Sequence, residues 1–386
     1  MRGNKFLKII DRIIGSALIL FLAMFTRRSK SALLQERQFK RILIIKLAAL
    51  GDTLLLIPAL RAVRKKYQNA HISFIGTSIN SDVVKLFPQY VNEFIDFNVK
   101  KAVTNPFYLI RFFSELRPKN IVLAIDFEQW SNVTPLLSLF SKAPVRIGFK
   151  LPKGKRDGLY TDSVLRDRSK HEAVNFLRLL TLLGIERNQP EIEIPVNGEK
   201  VQSFRQQLQQ AGWKPPQPII VIHPGCGKHG FPREWSIRNY KSLCGLLNEK
   251  FYPFFIFTAG DGESQLTEEL LKAFPYSSLS YSKLELENII ALYSMTNLFI
   301  SSNNGMMHIA AALKVPQIAL HGPTNSVQWG PLNTNAVVIH STCPDCPSLD
   351  FTAPTASVWN KLLSVRSFKR HKNSSLNAIQ SIAKNR

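Results

Sequence analysis

The sequence predicts an α/β protein made of two consecutive doubly wound, Rossmann-like halves, and three observations predict it. Short runs of branched apolar residues alternate with segments of helical period along the chain, the pattern of parallel βαβ units. The alternation pauses at Lys214-Pro-Pro-Gln-Pro218, a proline-rich polar stretch, and then restarts. Glycine-bearing polar turns follow the strands on the side where doubly wound sheets hold ligands. The 386 residues also exceed the length at which one core stops growing. The expected layout is an extension over 1–40, a first domain over 41–213, a linker at 214–218, a second domain over 219–340 and a basic tail over 341–386.

In the first half, Lys40 to Leu47 reads as a buried strand, followed by Ala48-Ala-Leu-Gly-Asp52. A helical pattern starts there, with Leu54, Leu55, Ile57, Leu60 and Val63 on one side and Arg61, Arg64, Lys65 and Lys66 on the other. Pro58 inside it should kink the helix or start its second part. Strands follow at His71 to Gly76, Glu93 to Asn98, Asn120 to Asp126 and Val145 to Phe149, with helices at Ser81 to Phe87 and Phe107 to Leu116. Leu151 to Asp167 reads as a basic loop, and His171 to Gly184 as a helix closed by a glycine C-cap. Pro190 to Pro195 is a short extended piece, and Val201 to Gly212 a further helix.

The second half opens with a strand at Ile219 to His223 running into Pro224-Gly-Cys-Gly-Lys228. Helices follow at Ile237 to Lys250, Leu266 to Phe274 and Leu286 to Ser294. Strands fall at Phe254 to Thr258, Ser278 to Tyr281, Leu298 to Ile300 and Gln317 to His321. The segment Ile300 to Leu313 carries the sharpest local signal: an apolar run, the polar turn Ser-Ser-Asn-Asn-Gly305, then helix-forming Met-Met-His-Ile-Ala-Ala-Ala-Leu313. Free N–H groups and the positive end of the helix dipole converge on such a turn and make it an anion site. Asn303 or Asn304 could equally be a plain N-cap.

Fifty Lys and Arg against 27 Asp and Glu give a formal charge of +23, which implies polyanionic surroundings. The basic residues are spread along the chain without an aromatic-basic signature, so phosphorylated substrates or an anionic membrane fit better than nucleic acid. Four cysteines without even spacing make no disulfide framework and suit a reducing compartment. Cys343-Pro-Asp-Cys346 has no second pair and reads as loose thiols before a half-empty zinc site or a redox pair. In the N-terminal extension, Phe6, Ile9, Ile10, Ile13 and Ile14 alternate at helical spacing with Lys5, Lys8, Asp11 and Arg12. Residues Ala17 to Phe25 are apolar all round, and Arg27, Arg28 and Lys30 follow. The apolar run is too short for a comfortable membrane span. Residues 5–30 are therefore expected to lie on an anionic membrane surface, with a soluble helix or a signal peptide as the alternatives.

Four segments together resemble the ADP-heptose:lipopolysaccharide heptosyltransferase family, glycosyltransferase family 9, of GT-B fold. They are Ile42 to Leu60, His223-Pro-Gly225 with Arg233-Glu-Trp235, Asn303 to His308, and Gly322-Pro-Thr324 with Gly330-Pro331. The resemblance implies an acceptor domain first, a nucleotide-sugar domain second and a cleft between them. It implies inverting transfer of a sugar, with ADP-heptose as co-substrate and no cofactor, onto a lipopolysaccharide core or related anionic lipid-linked glycan. The setting it implies is the cytoplasmic face of the inner membrane. No Asp-x-Asp metal motif is present, in agreement with metal-independent chemistry.

On the resemblance, Asp52 is the catalytic carboxylate that takes the acceptor proton, with Gly51 and Thr53 on the acceptor side; taken alone, Asp52 could be an N-cap. Arg233 matches the basic residue that balances the departing diphosphate. Lys228 and His229 are nearby candidates for the same task, or a solvated loop. Gly225, Gly305, Met306 and Met307 would offer N–H groups to phosphate, beside Gly322 and Thr324. Glu263 either accepts from ribose hydroxyls or starts a surface helix, and His308 either touches phosphate or packs. The family usually carries Asp-Thr/Ser-Gly where this chain has Asn303-Asn304-Gly305, and Ser282 stands where a glycine is frequent. A family member that binds nucleotide sugar without turnover is the alternative raised by those asparagines. A nicotinamide-dependent oxidoreductase is disfavoured, on the expectation that no dinucleotide-binding Gly-x-Gly-x-x-Gly follows the first strand of either half.

Overall fold

The computed structural model describes residues 9–26, 34–151, 156–186, 189–227, 234–275 and 277–340. The chain divides into two compact units between Ile192 and Glu193. Each is a six-stranded, wholly parallel sheet flanked by helices.

The strands of the first unit are β1 (Arg41–Ile45), β2 (His71–Gly76), β3 (Glu93–Asp96), β4 (Leu123–Asp126), β5 (Val145–Lys150) and β6 (Asp162–Leu165), in the spatial order β3-β2-β1-β4-β5-β6. Central strands of a sheet covered on both faces must be apolar on both. Ile42 to Ile45 and Leu123 to Ile125 accordingly have no exposed surface. The strands of the second unit are β7 (Ile219–His223), β8 (Phe254–Ala259), β9 (Ser278–Ser282), β10 (Leu298–Ser302), β11 (Gln317–His321) and β12 (Ala336–His340), ordered β12-β11-β10-β7-β8-β9. Its core packs Ile222, Phe257, Ile300 and Leu320 against Tyr240, Leu243 and Leu247 of the helix Ile237–Phe251. Each sheet reverses its winding direction once, between β1 and β4 and between β7 and β10. Such a reversal opens a crevice at the carboxyl ends of the two strands concerned.

The structure departs from the expected layout at several places and agrees with it at others. The basic loop at 151–167 contains β6, an edge strand hydrogen-bonded only to β5, whose polar composition hid it. The helices Val99–Thr104 and Val133–Phe140 and the strand β12 were not anticipated. As expected, Pro58 lies inside the helix after β1, Leu50–Lys66, which begins two residues before Asp52. The stretch at 214–218 is a tight turn rather than the division between units: Gln217 N–H donates to the Lys214 carbonyl at 2.9 Å and the Trp213 indole to the Gln217 carbonyl at 2.8 Å. The helix Gly198–Gln210 before it goes with the second unit, through the Lys200–Glu287 ion pair at 3.0 Å and the Phe204–Tyr281 ring contact at 5.7 Å. Gly184 does cap its helix, with φ +67°.

The N-terminal helix Ser16–Phe25, preceded by a π-turn at Asp11–Gly15, docks on the first unit. Ile19 is buried with Leu136 and Leu159. Asp11 does not lie on a solvated polar face as expected. Its carboxylate accepts from the N–H groups of Asn132 at 2.9 Å and Val133 at 3.0 Å, at the start of the helix Val133–Phe140. Burial raises the Asp11 carboxyl, against the pull of these bonds. The opposite face carries Ile13, Phe21, Met24 and Phe25, each more than half exposed. Among the described residues no helix is long and apolar enough to cross a membrane.

Candidate active site

In the first unit the sites at the winding reversal are the turn after β1 and the turn after β4. The apolar run of β1 continues into Lys46, which has no exposed surface. Its ammonium donates to Asp52 Oδ2 at 3.3 Å, Glu128 Oε2 at 3.1 Å and Gln129 Oε1 at 2.9 Å. Asp52 stands in the first turn of the helix Leu50–Lys66, where a carboxylate is favoured by the helix dipole. Asp52 does not occupy the N-cap position, which Ala49 takes in extended backbone. Glu128 ties the two turns together. Its Oε2 accepts from the N–H groups of Leu47 and Ala48, both at 3.2 Å. Its Oε1 accepts from Gln129 at 3.2 Å and Trp130 at 3.1 Å.

Deeper in the same unit, Arg156 donates to Asp126 at 3.2 Å and to the Glu128 carbonyl at 2.7 Å, and the Tyr160 hydroxyl donates to Asp126 at 2.5 Å. Burial pushes the Asp126 carboxyl up, and Arg156 and Tyr160 draw it back. Gly51 and Thr53 are buried beside Asp52. The Thr53 hydroxyl donates to the Ala49 carbonyl and accepts from Asn80 at 2.6 Å, so it fastens one helix to the next. Trp130, 40% exposed, stacks its ring beneath the Arg166 guanidinium at 5.3 Å. Sequence reasoning missed Lys46, Glu128, Gln129 and Trp130. The available signal was a lysine closing an otherwise apolar strand.

In the second unit, Gly225 after β7 and Asn304-Gly305 after β10 lie on either side of the reversal. Asn304 is the N-cap of the helix Gly305–Ala312: its Oδ1 accepts from Met307 N–H at 3.1 Å. Its amide donates to the Gly225 carbonyl at 2.8 Å, which holds the two turns together. The cap takes the Met307 N–H that the sequence reading offered to phosphate. Gly305 and Met306 supply first-turn N–H groups that a helix cannot satisfy internally. A Cβ on Gly225 would fall between 2.1 and 2.4 Å from the Glu263 carboxyl atoms, so a larger residue there would displace that carboxylate from its bonds to Gly227 and Gly260.

Glu263 is buried, not a surface helix start. It accepts from Gly260 N–H at 2.7 Å and from Gly227 N–H, and faces His223 Nε2 at 3.5 Å. Burial works to raise this carboxyl, but the His223 and backbone N–H interactions outweigh it and hold it down at about 2. Asn303 bonds the buried His321 ring at 3.0 Å, and Thr324 reaches the same ring at 3.3 Å. Gly322 is buried between them in the chain, and His308 is 5% exposed and packs inward. Lys228, His229, Arg233, Cys343 and Cys346 lie outside the described residues. Against that expectation, Gly225, Gly227 and Gly230 do have dinucleotide-fingerprint spacing after β7, yet among the described residues the next helix opens only at Ile237. The fingerprint needs glycines that open the helix itself.

Comparison with known proteins adds the following. The family model for glycosyltransferase family 9 (heptosyltransferase) matches residues 109–357. A lipooligosaccharide heptosyltransferase 2 of Campylobacter jejuni is 23% identical over 311 residues, spanning 79% of this chain and 88% of that protein. A solved glycosyl transferase family 9 structure from Veillonella parvula aligns with a TM-score of 0.68 at 20% identity, over 81% of this chain and 88% of its own. E. coli ADP-heptose LPS heptosyltransferase II aligns with a TM-score of 0.67 at 19% identity, over 88% and 99%.

Proposed function

The chain belongs to glycosyltransferase family 9, the heptosyltransferases, and from that membership we propose that it moves heptose from ADP-heptose onto a lipopolysaccharide core or related lipid-linked glycan. The transfer is inverting and metal-independent. Asp52 takes the proton of the acceptor hydroxyl as that oxygen bonds to the anomeric carbon. The anomeric bond to the diphosphate breaks, and ADP leaves with the electron pair. N–H groups of the Gly225 turn, Gly305 and Met306 stabilise the charge that grows on the diphosphate, with Arg233 and Lys228 as its cations. Glu263 and Thr324 border the nucleotide. The observation that carries this reading is Asp52, buried against a lysine at one winding reversal, in a chain whose other reversal gathers glycine turns around a helix N-terminus.

A member that binds donor without turnover is the second reading, resting on Asn303 and Asn304. The amides speak for the active one: Asn304 caps and braces, and Asn303 engages a buried ring, tasks that need no carboxylate. The test is a calorimetric titration of the metal-free chain. ADP should bind at least ~10-fold tighter than UDP or GDP, a gap of about 1.4 kcal/mol. Equal affinity, or preference for UDP or GDP, would remove ADP-heptose as the donor.

The membrane partner also belongs to this reading. Exposed Ile13, Phe21, Met24 and Phe25 on a helix docked by its other face, flanked by Lys8, Arg12, Arg27 and Arg28, suit an anionic bilayer on the cytoplasmic side. In vesicle flotation the chain should rise with phosphatidylglycerol vesicles and stay behind with phosphatidylcholine. Phe21→Asp with Phe25→Asp should abolish the rise; flotation unchanged in that variant would end the proposal.

A further inference from the structure

We propose that Lys46 and Glu128 act together as positioning residues that aim Asp52 and set how readily it accepts a proton, a proposal that rests on Asp52 being the base. Lys46 spends all three ammonium donors on Asp52, Glu128 and Gln129. Glu128 spends both oxygens on Lys46 and on four backbone N–H groups from the turns after β1 and β4. The two turns that flank the reversal are thus clamped through one carboxylate, and Asp52 is aimed from that clamp.

Stability does not explain the arrangement. Burying a lysine and two acids is expensive, and well-packed apolar residues do as well or better. What the trio supplies is a charge balance. One ammonium lies between two carboxyl groups, both within hydrogen-bond distance of it. A cation beside a carboxylate favours the ionised acid, and a second carboxylate on the same cation opposes it; Glu128 holds that second place.

The surrounding elements complete the picture. Glu172, on the helix Glu172–Leu179 packed against the helix that carries Asp52, is a further carboxylate that feels the Asp52 charge. Burial raises its carboxyl, the bond from Arg166 lowers it, and the Asp52 charge raises it again. Arg166 grips Glu172 with Nε at 3.0 Å from both oxygens. Arg166 thus answers Glu172, while Lys46 is the cation hydrogen-bonded to Asp52 and shared with Glu128.

The test is the pH dependence of kcat/KM, whose acid limb reports the base of the free enzyme. In Glu128→Gln a like charge is gone, ionisation of Asp52 becomes easier, and the limb should move to lower pH by about one unit or more. In Lys46→Met a cation is gone, and the limb should move to higher pH by a similar amount. Glu128→Asp keeps the charge and should leave the limb in place while lowering kcat. Limbs that stay put, or that move in the same direction in both variants, would overturn the proposal. Thermal unfolding and ADP titration check that each variant folds, and if Glu128→Gln does not, the direction in Lys46→Met decides. Asp52→Asn separates the two readings: full activity there sinks the base, whereas lost activity with unmoved limbs sinks only this proposal.

Discussion

Asp52→Asn is expected to lower kcat by about 10²- to 10⁴-fold, the range for losing a general base, with ADP affinity within about two-fold of the native chain. Asparagine keeps the shape of aspartate and can still accept from Lys46 Nζ through its amide oxygen, so the turn after β1 stays in place. What disappears is the ability to take a proton. Nucleotide affinity is insulated because every donor residue named here lies in the second unit, from Gly225 to Thr324. The fold should also tolerate the change. Lys46 keeps Glu128 and Gln129 as partners, so the buried cation is not stranded. Thermal unfolding together with steady-state kinetics reads both. If Asp52→Asn turned over at the native rate, the proton would have to go elsewhere and Asp52 would be a structural residue of the helix start.

The second large effect is expected at Glu263. Glu263→Ala should weaken ADP binding at least ~10-fold, about 1.4 kcal/mol, in the same calorimetric titration. The carboxylate is the tie between the turns after β7 and β8: it accepts from Gly227 and Gly260 and packs against the bare Cα of Gly225. Without it the Gly225 turn loses its support on one side and keeps only Asn304 on the other. Unchanged ADP affinity would show that the turn holds its shape unaided.

The same carboxylate gives a pH signature. Held at about 2 in the fold against a usual 4.5, it favours the folded chain fully above pH 4.5, and that contribution is lost as the pH falls toward 2. Urea midpoints of the native chain should therefore fall more steeply over that window than those of Glu263→Gln. Parallel slopes would mean that the carboxylate is held no better folded than unfolded.

How far the sequence reaches can be followed along the sheets. Ile42 to Ile45, Ile219 to His223 and Gln317 to His321 are strands because both of their faces are covered, and a run of branched apolar residues announces that. Asp162-Ser-Val-Leu165 lies at a sheet edge, needs no apolar run, and passed for loop. Asp52 and the Asn304-Gly305 turn were legible because each is local: a strand end, a turn and a helix start in one short segment. Glu128 was not, since its meeting with Lys46 spans 82 residues and depends on β4 lying beside β1. Asp11 reads as one charge on an amphipathic helix, and only folding brings it to Asn132 and Val133, more than a hundred residues on. Local patterns reveal elements and turns. Ion pairs across a winding reversal appear only once the strand order is known.

The most direct test of the central claim is transfer itself. The purified chain, in excess chelator, is mixed with ADP-heptose and a lipopolysaccharide core acceptor that lacks heptose at the accepting position, and the glycan mass and anomeric configuration are read. The account predicts one added heptose, with anomeric configuration opposite to that of the donor, stoichiometric ADP release, and no product with Asp52→Asn. A chain that binds ADP-heptose yet leaves the acceptor unchanged would contradict it.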